Sequence, residues 1–307
     1  MRYEMEKATR FCWRAGRNLL CSAPWGRSLL FPAQSLASHF GRGDADYALG
    51  VFLHHHEQLT AAGFPGATRI LEVGPGRNLG TSLLMWALNQ SRTGQEVIVF
   101  LWDVFPNMVV DAVTLAEVAR ALLESPKLQV VAEALPDDEI EPILARIAQG
   151  AIHVDIRYYV KPLPVLMAAG NAKDIALVYS HAAIEHIWHI EEFWRAMISL
   201  TTPGGWHSHR IDLADHGRRN TNYIEMLEWS SLGYWLTMRF VPGAINRWRA
   251  SVHLDFLTGN GLRILSSKLE TRDELPIPRA RINKRYRLLD ELDLRTTAVD
   301  VVAIKTK

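Results

Sequence analysis

The sequence predicts an α/β fold: a doubly wound, mostly parallel sheet, with a helical extension before it and a helical insertion after its fifth strand. Two observations predict it. From Thr68 onward, short apolar runs bounded by turn residues alternate with stretches whose apolar residues recur at helical spacing. That is the pattern of parallel strands joined by right-handed crossovers. The second observation is bulk. A chain of 307 residues, 48% apolar and 22% charged, is ordered and large enough for one elaborated domain with extensions.

The elements follow in order. Residues up to about Gly66 read as helical, with Ala48 to His56 leading into Leu59 and Thr60. His54, His55 and His56 are consecutive, so on a helix they point in different directions and cannot converge on one ion. Strand one is Arg69–Val73, followed by a helix over 81–90. The very apolar run 97–102 fits a strand buried on both faces and ends in Asp103. Helical patterns follow over Ala112–Glu124 and 137–149, the second entered through Pro136-Asp137-Asp138. Strand three is expected at 156–160 and strand four at 174–179. Ile190, Phe193, Trp194, Met197 and Ile198 then recur at helical core spacing. Pro203-Gly204-Gly205 is expected to break the chain before a fifth strand at 206–211. A polar, basic segment from Asp215 to Asn222 leads into an aromatic helical insertion with Tyr223, Trp229, Tyr234, Trp235 and Trp248. The chain closes with a helix at 251–258, a Gly259-Asn260-Gly261 turn, a strand at 262–265, a helical interruption and a last strand at 297–304.

Composition excludes several classes of function. A formal charge of +1 carries no polyelectrolyte signal, so a nucleic-acid partner is not expected. Cys12 and Cys21 form neither a zinc cluster nor a disulfide framework, which fits a reducing, cytoplasmic setting. No apolar run reaches the roughly 18 residues of a membrane span. The acidic opening Met1-Arg-Tyr-Glu-Met-Glu is unlike a targeting segment. From Arg10 to Phe31, Arg10, Arg14, Arg17 and Arg27 interleave with Trp13, Leu19, Leu20, Trp25, Leu29 and Leu30. This segment is expected to pack on the core, and peripheral contact with a membrane surface stays open.

The most informative stretch is Arg69-Ile-Leu-Glu72-Val-Gly74-Pro75-Gly76-Arg77-Asn78-Leu79-Gly80. An apolar strand ends in a carboxylate, a glycine-rich turn follows and a helix opens. Backbone N–H groups and a helix N-terminus then face a nucleotide-like ligand, and missing side chains at Gly74 and Gly76 allow close approach. The spacing is G-x-G-x-x-x-G, not the G-x-G-x-x-G of a dinucleotide site. In this form it resembles motif I of class I, Rossmann-like S-adenosylmethionine (SAM)-dependent methyltransferases. The resemblance covers about Gly66 to Gly205 with specific motifs and the closing strands with weaker ones. It implies a seven-stranded sheet with an antiparallel last strand and SAM as cofactor. It also implies a SAM-binding domain over 66–307, with 1–65 as helical extension or lid and 215–250 as a substrate-facing insertion.

Carried onto this chain, the resemblance implies that Glu72, Gly74, Pro75 and Gly76 cradle the amino-acid and ribose portion of the cofactor. Asp103 would accept hydrogen bonds from both ribose hydroxyls, because a carboxylate offers two oxygens to a vicinal diol. Val104 would lie beside the adenine. Ser180-His181-Ala182-Ala183-Ile184-Glu185-His186 matches the family segment that opens over the methyl group, so Ser180 joins the cofactor set. Two departures stand out. Val160-Lys161-Pro162-Leu163 lacks the acid that often holds the adenine amine. Ala182 stands where some relatives place the first acid of a magnesium site, which leaves only Glu185 and His186, so a metal stays open but has no support, and none is assigned.

Methyl transfer needs an aligned acceptor and often a base. The candidates are His181, His186, His207, His209, Asp212 and His216, clustered after strands four and five. His207, His209 and Ile211 share one face by the period of two. His209 is nearer the carboxyl edge and is the preferred base, oriented by Asp212 or a backbone carbonyl, with His181 beside it. Tyr223, Trp229 and Trp235 with Arg218, Arg219, Arg247 and Arg249 could line an acceptor pocket or serve equally as core and solvated charge. Asn246-Arg247-Trp248-Arg249 offers an anchor for a polar acceptor. The expected activity is methyl transfer to an oxygen of a small molecule or glycan. A nicotinamide-dependent oxidoreductase and a non-catalytic SAM-binding module remain as alternatives.

Overall fold

The computed structural model describes residues 2–30, 42–104, 108–162 and 172–306. Phe31, the side chain of Arg27 and Leu163, all used in the sequence reading, lie outside the described residues. Its centre is a seven-stranded sheet in the order β3-β2-β1-β4-β5-β7-β6. The strands are β1 (Arg69–Val73), β2 (Ile98–Asp103), β3 (Asp155–Val160), β4 (Ile175–His181), β5 (Thr201–Asp212), β6 (Leu262–Thr271) and β7 (Thr296–Lys305). Strands β1 to β5 pair in parallel, and β7 runs antiparallel between β5 and β6. The expected doubly wound sheet with an antiparallel last strand is the one observed.

Helices cover both faces, which is why the central strands are apolar without alternation. The helices are α1 (Arg2–Ser22), α2 (Pro24–Leu30), α3 (Arg42–Ala61), α4 (Gly80–Thr93), α5 (Ala112–Glu124), α6 (Lys127–Ala134) and α7 (Ile140–Ala148). After β4 come α8 (Ile190–Leu200), α9 (Ser231–Met238), α10 (Ala250–Gly259) and α11 (Glu291–Arg295). On one face, Leu49 and Phe52 of α3 and Leu83 and Trp86 of α4 pack with Ile70, Val99 and Leu101 of the sheet. On the other, Phe193, Trp194 and Met197 of α8 and Leu257 of α10 pack on Leu71, Val73, Val178 and Ile211.

Several boundaries differ from the sequence expectation for physical reasons. Helix α6 was not expected; it is a short helix started by Pro126, with Leu128 and Val131 buried. Pro203-Gly204-Gly205 does not precede β5 but lies inside it. There Gly204 adopts φ +77 and the pairing with β4 shifts register between Ile175 and Leu177. The insertion is only partly helical, and its aromatic residues fill a third core. Tyr223, Trp229 and Tyr234 are buried with Ile245, Ile277 and Tyr286, so Tyr223 and Trp229 are not free to line a pocket. Helix α1 closes that core, with Phe11 stacked on Trp229 at 6.0 Å. Arg10 and Arg14 reach the buried Glu225 at 3.2 and 3.0 Å. The other side of α1 and α2 leaves Trp13, Leu19, Trp25 and Leu29 exposed. Among the described residues no helix is long and apolar enough to cross a membrane.

Candidate active site

The carboxyl edge of β1, β2, β4 and β5 carries most of the polar residues singled out from the sequence. In the register of the sheet Val73 stands beside Trp102 on one side and Ser180 on the other. Gly74 and Asp103 therefore follow at the same rim of adjacent strands. The Gly74 N–H donates to the Trp102 carbonyl at 2.8 Å, which ties the glycine turn to the residue before Asp103. Gly74 and Gly76 take φ +67 and +62, the left-handed conformation that glycine adopts without cost. A Cβ on Gly74 would stand 2.5 Å from Ala183 Cβ, whereas one on Gly76 would meet nothing within 4 Å. One glycine makes room for the turn after β4, and the other leaves open space above the sheet. Asn78 sets the start of α4: its Oδ1 accepts from Gly80 N at 2.9 Å and its Nδ2 donates to the Asp44 carbonyl of α3 at 2.8 Å.

Glu72 is buried beneath this turn. It accepts from the Tyr179 hydroxyl at 2.6 Å and from Ser82. Burial pushes its carboxyl up to about 7, against the pull of those two hydrogen bonds. Asp103 is buried, and its Oδ1 accepts from Val104 N at 2.7 Å. Val104 itself is exposed. Tyr179 could not be tied to Glu72 from sequence, because the two meet only through the pairing of β1 with β4.

His209, the preferred base in the sequence reading, lies inside the core. Residues 207, 209 and 211 do share a face, but that face lies against α8 and α10. His209 is 1% exposed, with its ring edge-on to Trp194 at 5.1 Å. Its Nδ1 is 2.8 Å from Ser180 Oγ and its Nε2 is 3.1 Å from His207 Nδ1, while His207 Nε2 is 2.9 Å from Thr201 Oγ1. Burial drives both rings to the neutral form, His207 down to about 3. Ser180, His209, His207 and Thr201 thus form a buried hydrogen-bonded chain. Asp212 does not orient His209. Its carboxylate pairs with His216 Nε2 at 3.2 Å and with Arg219.

His181 lies on the opposite face, towards α3. Its ring packs edge-on against His54, His55 and Tyr47 at 5.4, 5.5 and 6.4 Å. Its Nδ1 has no hydrogen-bond partner among the described residues. Burial, then the nearby His54 and Arg210 charges, push it down to about 4, so the ring is neutral at pH 7. Of the three consecutive histidines of α3, His54 and His55 meet edge-on at 5.6 Å and both pack on His181, while His56 points elsewhere. His54 bonds Asp300 at 2.8 Å, His55 bonds Ser208 at 2.8 Å and His56 faces Thr60. Arg210 closes the group by pairing with Asp300 at 3.0 Å.

Asn246 and Arg249 are engaged within the fold. Arg249 is buried and donates to the carbonyls of Leu213 and Asp293 at 2.7 and 2.9 Å. Asn246 Nδ2 donates to the carbonyls of Ile184 and Ile187 at 3.0 and 3.1 Å, bracing the turn that carries Glu185. Glu185 is 1% exposed, and burial pushes its carboxyl up to about 8. With Ala182 in place of an acid, the sequence left only Glu185 and His186 as donors, but a third comes from elsewhere in the chain. Donor atoms of Glu185, His186 and His216 lie within 4.8 Å of one another.

No family model matches the chain, and no curated protein matches it. Among solved structures it is similar to an S-adenosylmethionine dependent methyltransferase from Mesorhizobium loti. The identity is 18% over 78% of this chain and 92% of that one, with a TM-score of 0.39. It is also similar to the N-methyltransferase NodS from Bradyrhizobium japonicum, solved in complex with S-adenosyl-L-homocysteine. There the identity is 10% over 83% of this chain and 87% of that one, with a TM-score of 0.40.

Proposed function

We propose that this chain is a SAM-dependent methyltransferase that delivers a methyl group to an oxygen of a small molecule or glycan. One observation carries the reading. The glycine turn and Asp103 share a rim of adjacent strands, bonded through Gly74 N–H and the Trp102 carbonyl, in a sheet with the order β3-β2-β1-β4-β5-β7-β6. Asp103 is the partner for a ribose diol, and the glycine turn stands beside it on the adjacent strand. The open space beside Gly76 fits a ligand lying across the turn. Glu72 holds a buried carboxyl with no cation paired to it among the described residues, and a positively charged ligand above it would offset the cost of its ionisation.

When bound, the cofactor supplies a methyl group made electrophilic by the adjacent sulfonium. The chain's own part is alignment and proton removal. His181 is the base in this reading: it is neutral at pH 7, stands at the end of β4 and has no hydrogen-bond partner on Nδ1 among the described residues. Residues 1–65 act as the lid, with α3 already seated against the site through Tyr47 and Asp44. Calorimetric titration with SAM, S-adenosylhomocysteine and NAD(H) tests the reading. Binding of the two sulfur ligands alone is expected, and preference for the nicotinamide would overturn it. Binding without S-adenosylhomocysteine formation from any pool of cell metabolites would reduce the chain to a binding module.

A further inference from the structure

Beside the glycine turn lies a buried carboxylate with no hydrogen-bond partner among the described residues. Neither Oε1 nor Oε2 of Glu185 finds one among the described residues, although the side chain is 1% exposed. A carboxyl so placed either keeps a proton or takes a cation. Two imidazoles at its edge favour the cation. His186 Nδ1 lies 3.3 Å from the Ala244 carbonyl; with the proton on that nitrogen, Nε2 is left with its lone pair 4.0 Å from Glu185 Oε1. His216 Nε2 sits 3.2 Å from Asp212 Oδ2, the carboxylate–histidine pairing that orients metal-bound rings. The turn beneath them is held rigidly. Ala182 takes φ +50 and its N–H donates to the Arg210 carbonyl at 2.9 Å, while Asn246 braces Ile184 and Ile187.

We propose that Glu185, His186 and His216 bind a divalent first-row transition-metal ion, with Asp212 and the Ala244 carbonyl orienting the two rings. Two nitrogens and one carboxylate suit zinc or its neighbours, whereas magnesium and calcium prefer oxygen alone. The donor atoms lie within 4.8 Å of one another, and ligands of a tetrahedral zinc stand about 3.3 Å apart. The side chains of His186 and His216 are 34% and 36% exposed, so ring rotation can close the gap without moving the buried glutamate. Ala183, two residues before Glu185, is the residue that abuts Gly74, so the ion lies beside the proposed cofactor cleft. There it would hold an acceptor oxygen and acidify it. That role rests on the methyl-transfer reading; the binding of the metal does not.

Full-length protein freed of metal with a chelator would be titrated with zinc by calorimetry and with cobalt(II) by visible absorption. One equivalent is expected to bind, unaffected by excess magnesium. Glu185→Gln and His216→Ala should each weaken binding more than about tenfold, and Asp212→Asn by about ten- to a hundredfold. His189→Ala should leave it unchanged, because that ring is exposed at 68% and lies outside the cluster. Absence of a one-equivalent isotherm, or equal affinity in His216→Ala, overturns the site. His216 is half-exposed, so that variant stays informative even if Glu185→Gln does not fold. SAM binding is measured separately: its loss would remove the role of the ion and leave the site standing.

Discussion

Gly74 and Gly76 have the same left-handed backbone and opposite surroundings, so alanine at each should fail differently. At Gly76 only backbone strain is incurred, about 1–2 kcal/mol. At Gly74 the new methyl also drives into Ala183 at 2.5 Å, adding about 1–3 kcal/mol of overpacking. Urea midpoints of Gly74→Ala and Gly76→Ala measure the difference, and equal losses would mean that the turn after β4 does not rest on the glycine elbow. Gly76→Ala should instead lose cofactor affinity, since its methyl enters the open space. Asp103→Ala should weaken SAM binding by about 1–3 kcal/mol through lost charge-assisted hydrogen bonds, read by calorimetry. Unchanged affinity would remove Asp103 from the site. Residue types were legible in sequence because glycine spacing and a carboxylate after a buried strand have local meaning. Partners were not. Tyr179 reaches Glu72 only across a strand pair, and His216 meets Glu185 and His186 only where the segment beyond β5 folds back over the turn after β4.

At the level of elements, periodicity identified the shared face of His207 and His209 but not what covers it. That depends on where α8 and α10 pack, which no local pattern states. Alternation along β5 is compatible with a cleft on either side of the sheet. Trp194 stacked edge-on to His209, and the hydrogen-bonded chain from Ser180 to Thr201, make the histidine a part of the core. His209→Ala should therefore lower stability by about 3 kcal/mol, from a cavity and two stranded polar partners. Its kcat at a temperature where the variant remains folded should stay within a few-fold of wild type. A large drop in kcat with unchanged stability would restore His209 as base. The aromatic insertion misled in the same way. Tyr223 and Trp229 have the chemistry of a pocket, and only the docking of α1 through Arg10, Arg14 and Phe11 shows that they are enclosed. Strands β1 and β2 and helix α5 were read closely because their apolar runs end at strong turn signals, whereas β6 extends to Thr271 through polar residues that no hydropathy pattern marks as strand.

Across the whole molecule, four buried histidines and Glu72 are held in neutral form, and this shapes how stability responds to pH. His207 and His253 are pushed down to about 3 by burial, and His55 and His209 lie well below the ordinary 6.5. Below pH 6.5 the unfolded chain takes up protons that the folded chain refuses, so stability falls on acidification towards pH 3. Glu72 acts in the opposite sense. Its folded pKa of about 7 exceeds the ordinary 4.5, so the folded chain keeps a proton that the unfolded chain has lost, and stability falls as pH rises from 4.5 to 7. The two windows overlap, which hides the glutamate in the wild-type curve. Subtraction reveals it: the stability of Glu72→Gln relative to wild type should grow by about 3 kcal/mol between pH 4.5 and pH 8. Denaturant titrations at a series of pH values measure this, and parallel curves would give Glu72 an ordinary pKa. The same cost links folding to the proposed ligand. A cation held over β1 favours ionised Glu72, so SAM should shrink the gap between variant and wild type at pH 8 and release a proton on binding below pH 7. Calorimetry in two buffers of different ionisation enthalpy reads that proton directly. Binding with no proton release at pH 6 would place the positive charge of the ligand away from Glu72.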